Sequence, residues 1–65
     1  MEVEEVEKLI AAKEEEVKED FRELRKYLKK KDYNFSLTWA NSLVEDLTIL
    51  HFLEVLKFRL EVKEV

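Results

Sequence analysis

His51 is the only histidine in the chain, and with Glu54 three residues on it forms the pair most able to do chemistry. On a helix the two share a face. Carboxylate–histidine pairs at this spacing hold metal ions in helical bundles, where each of two helices brings an inward Glu-x-x-His. Here the order is reversed and no second pair exists. A hydrogen-bonded interior histidine is therefore the stronger reading, and no metal ligand is assigned. Thr48, three residues before His51, reads as its local hydrogen-bond partner rather than as a nucleophile beside its base.

The carboxylates offer no more. Glu45 and Asp46 are neighbours, so on a helix they point about 100° apart and do not converge on one substrate, as acid–base pairs must. With no glycine there is no phosphate-cradling loop, and with no cysteine there is neither a disulfide nor a thiolate metal site. We therefore expect no catalytic residue, no metal site, no cofactor and no enzymatic activity.

What remains is architecture. Sixty-five residues allow one domain. A chain this short buries only about 60% of the surface its unfolded form exposes and commonly needs help to be stable. Disulfides and metals being excluded, oligomerisation is the help left. The absence of both Gly and Pro points to few turns and long helices.

From Val3 to Leu28 the apolar residues Val3, Val6, Ile10, Val17, Phe21, Leu24 and Leu28 fall on one helical stripe, widened by Leu9, Ala11, Ala12 and Tyr27 and interrupted at Lys13 and Glu14. Lys29, Lys30 and Lys31 close that helix, where cations favour the partial negative charge of its free carbonyls. Asp32 or Asn34 then caps the next one. The expected fold is all-α, a two-helix antiparallel hairpin with a helix over 3–31, a turn at 32–34 and a helix over 35–60.

The second helix is apolar nearly all round: eleven of the eighteen residues from Leu43 to Leu60 are hydrophobic. One partner helix covers one side only, so the surplus must meet another chain. Trp39, Leu43, Leu47, Leu50, Phe52, Leu53 and Leu56 are the candidate interface. Trp39 reads equally as an interface anchor and as a core plug near the turn, packed by Tyr33 or Tyr27. Residues 57–63 alternate apolar and charged; continuation of the helix is favoured over a strand added to a partner's sheet.

Charge is unevenly spread. Residues 1–20 carry net −6, residues 21–33 net +4 and residues 34–65 net −2. Arg22, Arg25, Lys26, Lys29, Lys30 and Lys31 form a candidate basic patch. It could meet nucleic-acid phosphates, but overall acidity favours a solvated helix end, or a contact with the acidic half of a neighbouring chain.

From Phe21 to Leu37 the chain resembles an archaeal family of small helical proteins, the domain of unknown function 357. The matching residues are Phe21, Glu23-Leu24, Tyr27-Leu28, Lys31-Asp32-Tyr33 and Ser36-Leu37. Lys31 stands where that family has Gly, and the family's later Tyr-Ala-Glu-Gly run has no counterpart in Ser42 to Thr48. The resemblance implies a helical hairpin and carries no function with it. The Asp-Tyr helix start also occurs in tetratricopeptide-like and HEPN-type hairpins. HEPN ribonucleases need an Arg a few residues before a His; Glu45, Asp46 and Leu47 precede His51 instead.

Glu and Lys supply 22 of the 65 residues, Gln is absent and Asn occurs only twice. That bias resembles hyperthermophile composition, so a thermophilic archaeal source is expected; designed sequences share the bias but usually place Gly after a helix. No stretch is long and apolar enough to span a bilayer, and the acidic start is unlike a signal peptide, so the expected location is cytoplasmic. The leading expectation is a homodimer forming a four-helix bundle. The alternatives are an adaptor- or antitoxin-like subunit docking its second helix into another protein, and a small nucleic-acid binder.

Overall fold

A computed structural model describes residues 2–64, which form two helices packed against each other: α1, Val3–Lys29, and α2, Tyr33–Glu64. The pair is a rod 51 Å long and about 14 Å across. Lys13 meets Asp46 and Asp20 meets Ser42 across the pair, so the helices run antiparallel.

The side chains withdrawn from solvent define the seam. On α1 they include Val3, Val6, Ile10, Lys13, Val17, Asp20, Leu24 and Tyr27; on α2, Ser36, Trp39, Leu43, Asp46, Leu50, Leu53, Lys57 and Leu60. Both rows advance by alternate steps of three and four, the 3.5-residue repeat of a coiled-coil seam. This corrects the expected stripe on α1: Asp20 takes the seam, while Phe21 and Leu28 are about half exposed. Steps of four from Val17 to Phe21 and from Leu24 to Leu28 run ahead of the repeat, which carries those side chains round to the flank.

The hydrophobic core is small. Among the described residues Val6, Ile10 and Leu53 are the buried hydrophobics, with Leu50, Leu56 and Leu60 packed against them. All lie towards the open end of the hairpin. Each fully buried aliphatic side chain contributes about 1.5–3 kcal/mol, so the hairpin alone has modest means to hold two long helices together.

At the other end the turn is built without glycine. The expected boundary moves: α1 ends at Lys29 rather than 31, and α2 starts at Tyr33 rather than 35. The Lys31 N–H donates to the Leu28 carbonyl and the Asp32 N–H to the Tyr27 carbonyl, both at 3.0 Å, the paired bonds of a Schellman motif. That motif needs a left-handed residue at its centre, and Lys31 supplies it with φ 59°. Asp32 then caps α2, its Oδ1 accepting from the Phe35 N–H at 3.2 Å. The Ser36 hydroxyl donates back to the Asp32 carbonyl at 2.7 Å, and the Tyr27 and Phe35 rings stack at 5.1 Å. Tyr33 is exposed and Tyr27 stacks on Phe35; Trp39 is half-buried in the seam.

Residues 57–64 continue α2 as helix; Val65, to which the helix-or-strand question extended, lies outside the described residues. The alternation that resembled a strand is compatible with a helix because Lys57 and Leu60 step by three onto the seam, and the Lys57 ammonium pairs with Glu61 one turn on at 3.8 Å. No helix among the described residues is long and apolar enough to cross a membrane.

The left-handed conformation costs a residue with a Cβ roughly 1–2 kcal/mol. Lys31→Gly is therefore expected to raise unfolding free energy by about 1 kcal/mol after allowance for glycine's greater freedom when unfolded, as measured by urea denaturation.

Candidate functional site

Two surfaces and one buried cluster account for the residues with chemical potential. The cluster lies in the middle of the seam. The Lys13 ammonium donates to Glu16 on its own helix and reaches Asp46 across the pair at 3.4 Å. One turn further along α1, Asp20 is only 3% exposed, and its Oδ1 accepts from the Ser42 hydroxyl at 3.0 Å. Its other oxygen, Oδ2, is buried with no hydrogen-bond partner.

These positions set the protonation states. Burial pushes the Asp20 carboxyl above its ordinary 3.8, and the neighbouring Asp46 carboxylate adds to the rise against the Ser42 hydrogen bond. Asp46 moves the other way, held below 3.8 first by the neighbouring Asp20 carboxyl and then by Lys13. Lys13 is held above 10.5, chiefly by Glu16. Of the two carboxyls, Asp20 therefore takes up a proton before Asp46 as pH falls. This is the converging carboxylate pair that adjacent Glu45 and Asp46 could not make, and it forms through Asp20 on the opposite helix. The available signal was the strict alternation of threes and fours, which puts residue 20 in the seam whatever its polarity.

The cluster resembles a structural polar layer more than a catalytic centre. It is enclosed between two helices, with Lys13 on Asp46 and Ser42 on one oxygen of Asp20. Among the described residues no group of three or more His, Asp or Glu side chains is placed to hold a metal ion.

His51 and its neighbours differ from expectation. The imidazole is exposed rather than interior, because residue 51 lies off the seam. The Thr48 hydroxyl donates to the Val44 carbonyl at 2.8 Å, so it is not the histidine's partner.

The candidate interface residues divide into two sets. Leu53 is buried in the hairpin's own core, and Trp39, Leu43, Leu50 and Leu56 are half-buried, with Leu50 and Leu56 packed against that core. Leu47 and Phe52 are exposed, Phe52 by 67%. Around them stand apolar side chains that were not among the expected interface. Leu37, Val44, Val55, Phe58 and Val62 are all exposed, Phe58 by 66%. With Leu47 and His51 they step along α2 mostly by threes and fours, forming a second stripe on the flank of the first.

The basic residues remain together at the turn end of α1. Lys18, Phe21, Arg22, Arg25, Lys26, Lys29 and Lys30 border an open depression of about 640 Å³, and Lys31 stands in the turn. Lys26 and Lys30 lie over the Tyr27 ring at 5.5 and 5.6 Å, a cation–π geometry. Lys26 also approaches Glu23 at 3.9 Å and Lys18 pairs with Glu15. Comparison of the chain with protein-family models, with curated proteins and with solved structures returns no match.

The buried carboxyl makes a pH-dependent prediction. A carboxyl whose pKa is raised by folding costs stability once pH climbs past its unfolded value, here 3.8. Asp20→Asn removes the ionisable group and keeps an acceptor for Ser42. It is expected to raise stability at pH 7 by about 1 kcal/mol and to change it little at pH 3, checked by thermal unfolding at both pH values. Asp46 has the opposite sign: its contribution is present above 3.8 and fades as pH falls below it.

Proposed function

We propose that this protein is a non-enzymatic interaction module that works by self-association, two hairpins joining through the uncovered stripe of α2 into a four-helix bundle. The observation carrying this reading is the length and continuity of that stripe, from Leu37 to Val62. A row of exposed aromatic and branched aliphatic side chains this long is a normal signature of an interface and a liability on an isolated chain.

Surface area supports the same reading. The hairpin exposes 5339 Å², whereas a compact monomer of 7.9 kDa exposes about 4,400 Å². The excess, roughly 900 Å², matches what one partner contributes to a standard interface.

A second reading rests on the basic depression at the turn end, where cations surround the exposed Phe21 ring. That combination suits a phosphate backbone with unstacked bases. A gel-shift series at rising salt tests it, because phosphate contacts predict a steep loss of affinity; no binding at low salt removes it.

Light scattering across a dilution series, with far-ultraviolet circular dichroism on the same samples, tests the leading reading. A helical dimer is expected. Leu47→Glu or Phe58→Glu should weaken it by on the order of tenfold or more while leaving the seam intact; Leu53→Asp should unfold the hairpin itself. A folded monomer at every concentration would overturn the proposal.

A further inference from the structure

Resting on the self-association reading, we infer that the occupant of the α2 stripe is a second copy of this chain inverted end for end, with the two turns at opposite ends of the bundle. The argument begins with the charges along the rod. The turn end, residues 21–40, carries net +4, and the rest of the chain carries −8. Stacking two hairpins with their turns together sets +4 on +4 and acidic shaft on acidic shaft. Inverting one sets each basic tip beside the acidic open end of the other. Like charges side by side in a partly desolvated interface oppose association.

The side chains sharpen this into a register. In an antiparallel pair, the residue that follows the second seam position of each heptad lies on the same flank in both helices, so one flank of the hairpin includes Glu7, Glu14, Phe21 and Leu28 of α1 beside Tyr33, Ala40, Leu47, Glu54 and Glu61 of α2. Val44, His51 and Phe58 lie just beyond on α2, and Lys18 and Arg25 just beyond on α1. All but the half-buried Ala40 are exposed. This flank is the one that carries the second apolar stripe.

A twofold axis crossing the rod at right angles, in the plane between two such flanks, reverses the rod but leaves α1 over α1 and α2 over α2. Placed level with residue 16, it sets Glu7 against Arg25 of the second copy and Glu14 against Lys18 of the second copy. Within the hairpin Glu7, Glu14 and Arg25 make no ion pair among the described residues, while Lys18 has Glu15 at 3.2 Å. Because Lys13 lies opposite Asp46 and Asp20 opposite Ser42, the same axis passes α2 between Leu43 and Asp46. There it sets Val44 against Leu47 of the second copy and Tyr33 against Phe58 of the second copy. The apolar pairs of α2 are thus compatible with the axis that the charges of α1 select.

Two measurements on the full chain test the arrangement. With no native cysteine, a spin label at Lys30→Cys reports the separation of the two tips by pulsed electron resonance. Inversion predicts roughly 40 Å or more, since a helix of 32 residues rises about 48 Å. A dimer with tips closer than about 20 Å overturns the inverted orientation while leaving self-association standing; a monomer overturns both. The second measurement uses Glu7→Arg and Arg25→Glu. Each alone turns both cross-pairs repulsive and should raise the dimer Kd by about tenfold. Mixed together, the two variants restore both pairs and should form the heterodimer preferentially in native mass spectrometry. Single variants that associate as well as the parent, or a mixture with a statistical distribution, overturn the register.

Discussion

Two helices can shield only one stripe of each other, and this limit governs the protein. The first helix has about one stripe to hide and places it in the seam. The second has nearly two, and a hairpin can take only one of them. Everything distinctive about the molecule follows from that mismatch. The core holds few residues, the rod is long and thin, and large side chains such as Phe52 and Phe58 stand in solvent. A compact fold would need a third helix to absorb the surplus; none is present among the described residues.

The seam itself is not purely apolar, and its polar layer has a structural logic. Lys13, Asp20 and Asp46 occupy positions where leucine or valine would bury more surface. Their merit is discrimination. A slip of one heptad would set Lys13 against Trp39 or Leu53, taking Asp46 from Lys13 and Asp20 from Ser42. Unpaired charge in a partly buried seam costs several kcal/mol, whereas slipping one apolar pair past another costs little. Uniformly apolar stripes leave a two-helix rod several near-equal alignments; a polar layer leaves one.

Much of the fold is legible in the residues. The apolar spacing of Val3 to Leu24, the cations of 29–31 and the cap at Asp32 mark where the helices lie, and the excess of apolar residues after Leu43 marks which one is incompletely covered. The errors share a physical origin. Apolarity alone points Phe21 and Leu28 inward, whereas the 3.5-residue repeat decides position first and puts Asp20 in the seam, where Ser42 bonds one of its oxygens. The turn was harder to place because its left-handed residue is a lysine, and a rule that looks for glycine passes over it. His51 was expected inside because its neighbours are apolar, but those neighbours belong to the uncovered stripe.

The placement of the core also shapes the route by which the chain finds its structure. The contacts closest in sequence are those at the turn, where Tyr27 meets Phe35, and they close a loop of a few residues with little entropic loss. The apolar contacts that reward folding most, around Val6, Ile10 and Leu53, lie at the far end and join segments more than forty residues apart. The hairpin therefore zips from a cheaply formed but weakly held tip towards a strongly held but distant end. The charged layer at Lys13 and Asp46 lies between the two, so the pairing must pass through desolvation of that layer before the main core can form.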